Sequence, residues 1–290
     1  MTASEIDLPA ALETVSTTQP LIEAVTNPVT VNGVANTILH WGALPVMADT
    51  RREVAEMVAT ADGCLLNTGD VSDTGKKTML AAGRAANEND VPVVLDPVGV
   101  GATPTRTAVV EQLVETLDIT VINGNRAEVG AIADAVGESG SAAGTSEIRG
   151  VEAVGEGSIE GIAATALACA RAAEAIVVVS GETDVVADRE AAYAITAGHP
   201  MLGRVVGTGC MLGGTLATFA ASLDASFEAA LSGTLAHGLA GERAAAGEYG
   251  AYAGPASYEV AFRDAIAGFD AGALSEEGIE ARIERVAIPE

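Results

Sequence analysis

Short runs of continuous Val, Ile and Leu that end in Asn, Asp, Ser or Gly constrain this chain more than any other feature. They fall at Leu21–Thr26, Pro45–Ala48, Cys64–Asn67, Pro92–Asp96, Thr120–Asn123 and Ala175–Ser180. Strands that are apolar throughout, without alternation, are buried on both faces. Amphipathic, Ala-rich stretches separate them near Val31–Trp41, Arg52–Ala61, Lys76–Asn89, Thr105–Leu117 and Ile159–Ala173. The pattern predicts an α/β fold of three layers, with a mainly parallel central sheet flanked by helices. Val185–Asp188 and Ala191–Ala197 read as an antiparallel hairpin at one sheet edge. The chain then turns helical over Cys210–Leu223, Ser226–Ala246 and Ser257–Phe269.

The hydrophobic share of 49% over 290 residues is ample for one large core or at most two small ones. The Gly-, Ser- and Glu-rich stretch 136–157 reads as an extended surface loop within one domain, so residues 1–290 are taken as a single domain.

The charge is −25, from 40 acidic and 15 basic residues, and Lys76 and Lys77 are the two lysines. Such a surface repels nucleic acid and anionic membrane, which argues against both as partners. The hydrophobic content argues against disorder. Adaptation to a salty cytoplasm, where ions screen self-repulsion, fits the spread of acidic residues. Cys64, Cys169 and Cys210 are odd in number and widely spaced, with no CxxC, which disfavours a disulfide framework or a zinc site. The first twenty residues lack a basic stretch followed by an apolar one, and no apolar run reaches spanning length. A cytoplasmic location is the expectation.

In parallel α/β sheets, ligands bind beyond the carboxyl ends of the strands. Those ends are Thr26-Asn27, Met47, Asn67-Thr68-Gly69, Asp96-Pro97-Val98-Gly99, Asn123-Gly124-Asn125 and Ser180-Gly181-Glu182. Ordinary turn chemistry alone accounts for any one of them about as well as function does. Gly207-Thr208-Gly209-Cys210 is more specific. Two glycines permit a tight turn, and the helix that follows offers free N–H groups and a positive dipole end. The turn suits an anion such as a transferring phosphoryl group. A simple helix cap at Thr208 with a buried Cys behind it is the plainer alternative.

Cys210 has two readings: a thiol whose pKa the helix start lowers, able to accept a proton, or a passive pocket wall. Asp96, directly after Val93-Val94-Leu95, is a carboxylate at a buried strand end, costly unless paired or metal-bound. Glu128 follows the Asn123-Gly124-Asn125 turn, and both carboxylates could serve one Mg²⁺; an ordinary first-turn acid explains Glu128 equally simply. Gly69–Thr78 superficially resembles a Walker A loop but has five residues between its glycines and Lys77 in place of Ser or Thr. His40, His199 and His237 show no metal-ligand spacing.

From about Pro20 to Phe269 the chain resembles the hydroxyethylthiazole kinase family, which has the ribokinase-like fold. The resemblance rests on several segments in order: Val25-Thr26-Asn27 and Gly42-Ala43-Leu44-Pro45-Val46-Met47-Ala48; Leu66-Asn67-Thr68-Gly69; Leu95 to Pro104; Gly124-Asn125-Arg126-Ala127-Glu128; Ser180-Gly181-Glu182-Thr183-Asp184; Gly198-His199-Pro200; and Gly207 to Cys210. It implies transfer of the γ-phosphoryl group of ATP, with Mg²⁺, to 4-methyl-5-(2-hydroxyethyl)thiazole, a salvage step of thiamine synthesis. It further implies thiazole contacts from Met47 and Gly207, with Asn27 and Gly69 lining the pocket. Asn123 and Ser180 stand where relatives touch ATP. Asp96 and Glu128 match the pair that organises metal and phosphates, Gly207 to Cys210 form the anion hole, and Cys210 stands where the hydroxyl is activated. A homotrimer with the thiazole site between subunits is part of the same implication. Asn123 replaces an Arg of bacterial members, Ser180 a Thr, and Glu23 a His. A kinase for another small alcohol such as hydroxymethylpyrimidine, and a non-catalytic nucleotide sensor, are the competing readings.

Overall fold

A computed structural model describes residues 6–136, 147–149, 152–154, 157–270, 272 and 275–288. The strands are β1 (Leu21–Val25), β2 (Leu44–Val46), β3 (Gly63–Asn67), β4 (Val93–Asp96), β5 (Val121–Asn125), β6 (Glu147–Arg149), β7 (Glu152–Val154), β8 (Ile176–Ser180), β9 (Asp184–Ala187), β10 (Ala192–Ile195) and β11 (Ile283–Arg285). The helices are α1 (Leu8–Thr18), α2 (Val31–His40), α3 (Arg51–Val58), α4 (Asp73–Glu88), α5 (Pro104–Thr116), α6 (Arg126–Val136), α7 (Ile159–Ala173), α8 (Thr208–Ser222), α9 (Ser226–Ala246), α10 (Pro255–Ala267) and α11 (Glu276–Glu280).

Nine strands form one sheet in the order β11-β10-β9-β8-β5-β4-β3-β1-β2. From β8 to β2 every neighbour pair is parallel. The six runs read from the sequence are these six strands, so their carboxyl ends share one rim. Residues along each strand alternate between two cores. Ile22, Leu65, Val94, Val121 and Val178 pack with α1, α2, α8, α9 and α10. Val25, Leu66, Leu95, Ile122 and Val177 pack with α3 to α7. This double burial is why the strands carry no polar face, and it bears out the three-layer expectation.

Local signals start the helices. Thr103 accepts the Arg106 N–H at 3.3 Å ahead of Pro104, and Ser158 accepts the Gly161 N–H at 3.2 Å. Side-chain oxygens there satisfy donors that the helix itself cannot.

The structure departs from or adds to this reading at three places. The β9–β10 hairpin is not the sheet edge, because β11 pairs antiparallel with β10 outside it. The helix α1, in the acidic N-terminal stretch, was not foreseen. Most of the expected loop 136–157 lies outside the described residues, and the described parts β6 and β7 pair antiparallel. No helix among the described residues is long and apolar enough to cross a membrane. Cys64, Cys169 and Cys210 are free and buried.

A polar knot crosses the α8 core. The Trp41 Nε1–H donates to Thr215 Oγ1 at 2.9 Å, and Thr215 Oγ1 lies 3.1 Å from His237 Nδ1. Burial holds the His237 imidazole neutral, its pKa lowered to about 4. Thr215→Val removes the hub while keeping its volume and leaves the buried indole N–H without an acceptor. The expected loss is about 1–3 kcal/mol in denaturant unfolding.

Candidate active site

The rim is built where α8 crosses the ends of β3, β4 and β5. Alternation points Asn67, Asp96 and Asn123 to the α8 side of the sheet, and all three are buried. Asn67 is the hub. Its Nδ2 donates to Asp96 Oδ2 at 2.5 Å and to Cys210 Sγ at 3.1 Å. Its Oδ1 accepts from Asn27 Nδ2 and from the Gly69 N–H, both at 2.9 Å. Asn27 Nδ2 also donates to Thr30 Oγ1 at 2.8 Å. The expected residues Asn27, Gly69, Asp96 and Cys210 thus share one network, with Asn67 and Thr30 as members the motif reading did not single out. Asn67 was visible as a strand-end Asn; its central place depends on the register Asn67↔Asp96 between β3 and β4.

Two glycines are fixed by close approach. At Gly207 the backbone has φ of 95°, and a Cβ there would lie 2.6 Å from the Thr30 Cγ2. At Gly69 a Cβ would lie 2.6 Å from the Asn27 side chain. Gly207, not Thr208, is the residue before the first turn of α8. The Thr208 hydroxyl instead donates to the Leu202 carbonyl at 2.9 Å. The opening N–H groups of α8 have no acceptor within the helix, which leaves them for an anion.

The electrostatics oppose one of the two readings of Cys210, the lowered pKa. Burial pushes the Cys210 thiol up to about 12, and the neighbouring Asp96 carboxylate adds to the rise. Desolvation is the largest cause, and the thiol is neutral. Burial likewise pushes the Asp96 carboxyl up to about 7, opposed by hydrogen bonds from Cys210 and Asn67.

Glu128 is buried in the first turn of α6 and clasps two rim turns. Its Oε1 accepts the Gly99 N–H at 2.7 Å, and its Oε2 accepts the Asn125 N–H at 2.9 Å. Arg106 plays a matching part unseen in the sequence, donating to the carbonyls of Thr68 at 2.9 Å and Val98 at 2.8 Å. Asn123 lies beneath the glycine turn, and its Nδ2 donates to the Gly209 carbonyl at 3.1 Å. Its Oδ1 is buried without a hydrogen-bond partner. Ser180, half-buried at the end of β8, donates to the Gly124 carbonyl at 3.4 Å. Met47 follows β2 and packs against the core that contains Cys210 and Met211.

Residues 12–271 match the family model of the hydroxyethylthiazole kinase family. The chain belongs to that family. Over 283 residues it is 56% identical to a hydroxyethylthiazole kinase of the halophile Natronomonas pharaonis, covering 97% of this chain and 96% of the relative. The solved structure of a hydroxyethylthiazole kinase protein from Pyrococcus horikoshii has a TM-score of 0.80 at 29% identity, covering 97% and 99% of the two chains. A ribokinase-like superfamily protein from Enterococcus faecalis has a TM-score of 0.58 at 13% identity, covering 85% and 86%, and shows the fold alone. The fold is ribokinase-like, and the chain is a kinase that phosphorylates the hydroxyethylthiazole precursor of thiamine with ATP as co-substrate.

Proposed function

We propose that this chain carries out that transfer at the rim between Met47 and the first turn of α8, as one kinase domain. The carrying observation is the Asn67-centred network, which sets Cys210 and Asp96 side by side at a helix start. The thiazole hydroxyl attacks the γ-phosphorus in line, and phosphoryl transfer mainly needs positioning and charge neutralisation. Met47 and Gly207 contact the thiazole, with Asn27 and Gly69 behind them. The N–H groups from Gly207 to Cys210 receive the phosphoryl oxygens. Ser180 borders the nucleotide, while Asn123 serves it through its brace on Gly209.

A neutral thiol is a poor base, so Cys210 acts in series with Asp96. The hydroxyl proton passes to Sγ as the Sγ–H proton passes to the Asp96 carboxylate, and Cys210 ends the step as it began. Asp96 and Glu128 are the residues that would hold Mg²⁺, largely through its waters. A carboxylate at the end of β4 and another in the first turn of α6 fit an ion that keeps several waters and takes one or two carboxylates plus substrate phosphates. Among the described residues no cluster of three metal-ligating side chains occurs. When bound, the ion neutralises phosphate charge. A homotrimer that completes the thiazole pocket between subunits fits the same reading.

An ADP-release assay at high salt tests the substrate, with the thiazole alcohol set against hydroxymethylpyrimidine. Thiazole-dependent turnover is the expected result; turnover on the pyrimidine alone, or ATP binding without product, overturns it. Cys210→Ala should lower kcat about ten- to a hundredfold with thiazole binding little changed. Unchanged kcat would make Cys210 a pocket wall.

A further inference from the structure

Glu23 lies in the middle of β1 with no solvent exposure, although it carries a carboxyl group. Strand alternation turns it to the α3–α4 side, beside Cys64 on β3 and Val46 on β2. Its Oε1 accepts the Ala48 N–H at 2.8 Å. Its Oε2 is buried with no hydrogen-bond partner. A polar atom in that state is costly unless its placement serves something else.

The Ala48 N–H explains the arrangement. The β1–β2 ladder stops at the pair Glu23↔Val46, so Ala48 is beyond the last backbone partner. The Glu23 side chain substitutes for the missing acceptor and ties down the chain where it leaves the sheet. Ala48 then packs into the α3–α7 core, while Met47 packs against the opposite one, which holds Cys210.

We infer that Glu23 is a positioning residue for the thiazole site: its buried carboxyl fixes the Met47-Ala48 exit from β2 and thereby aims Met47 at the start of α8. The inference rests on the assignment of Met47 to the thiazole pocket. Glu23 itself does not touch the substrate, because it is closed off from the rim.

The carboxyl is neutral in this setting. Burial pushes its pKa up to about 8, partly opposed by the Ala48 N–H and reinforced by Glu53 on α3. The other ionisable group facing it is Cys64, held as a neutral thiol by its own burial. The buried residues of α4 include no ionisable group, and β2 presents Leu44, Pro45 and Val46. Above about pH 8 the group ionises where no cation faces it; the Ala48 N–H still favours the carboxylate, but burial does not, and the packing around the β2 exit must open to hydrate the charge.

Three variants, measured for KM and kcat between pH 6 and pH 9.5 with both substrates, test this. Glu23→Gln keeps the acceptor without the titration. It should match the wild-type thiazole KM at pH 7 and lack the rise in KM expected of the wild type above pH 8. Glu23→Leu should raise the thiazole KM about tenfold with kcat and the ATP KM within about twofold, the pattern of lost ground-state placement. Met47→Ala supplies the control. If Met47→Ala raises the thiazole KM and Glu23→Leu does not, the inference fails alone; if Met47→Ala changes nothing, the pocket assignment fails and takes the inference with it. Should Glu23→Leu fold poorly, the Gln variant still decides, since a pH profile identical to wild type overturns the role. Thermal unfolding gives an independent readout. The native state holds a proton here that the unfolded chain releases above about pH 4.5, so wild-type stability relative to Glu23→Gln should fall as pH rises from about 5 to 8.

Discussion

Asp96→Asn should lower kcat about a thousandfold, close to 4 kcal/mol of transition-state stabilisation, while the melting temperature does not fall. The substitution keeps the volume at the end of β4. It removes the one rim carboxylate that receives both the Asn67 amide and the Cys210 thiol. The proton path through Cys210 then has no acceptor, and the pair with Glu128 is broken. Stability should hold because a buried carboxylate opposed by few donors costs the fold more than a neutral amide does. Steady-state kinetics at saturating ATP together with a thermal melt separate the two effects. A kcat within tenfold of wild type would remove Asp96 from the chemistry. A collapse of the melting temperature would make it a structural strut.

Gly209→Val should lower kcat/KM by at least about a hundredfold in a protein that still folds. No atom outside the local turn lies within 4 Å of where a Cβ at Gly209 would stand. On the proposed reading that space is the side from which a phosphoryl group approaches the opening N–H groups of α8. The contrast with Gly207 is informative. Gly207→Ala forces an L residue to φ of 95° and drives a methyl to 2.6 Å from Thr30. About 1–3 kcal/mol of stability should be lost there, with activity falling as a consequence. If Gly209→Val instead retains near-normal turnover, the helix start faces away from the phosphates. If it unfolds the protein, the open space is not a ligand site. Urea melts of both variants beside their kinetics distinguish these outcomes.

Much of the site was legible because strand ends are legible. Asn27, Met47, Asn67, Asp96 and Ser180 each follow or end an apolar run, and parallel pairing from β8 to β2 brings all of them to one rim. Family motifs then supplied roles. The roles of single atoms were not legible. Asn123 reads as a strand end like the others, yet it lies within β5 and braces Gly209 from below. Glu128 looks like an ordinary first-turn acid, yet its two oxygens clasp two separate turns. Arg106 sits in α5 with nothing to distinguish it, because its acceptors are backbone carbonyls, which leave no mark on the sequence. Of the two readings of the Cys210 thiol, burial opposes the lowered pKa, since the helix start is visible in the sequence and the depth of burial is not.

By itself the sequence determined the layered sheet, the family and the glycine turn at residues 207–210. All three are set by side-chain type and local spacing, through apolar runs, helical periodicity and positions that admit only glycine. The tertiary structure alone decided which of those groups are charged and which atoms they hold. Proton affinity depends on desolvation and on neighbours brought from other strands: Asp96 beside Asn67 and Cys210, and Glu23 beneath Ala48. Those neighbours lie 25 to 183 residues apart along the chain, counting Glu23 to Ala48 and Asn27 to Cys210, so no local pattern encodes them. On the proposed reading the glycine turn receives phosphate, and the buried Asp96 beside Cys210 sets where the proton goes.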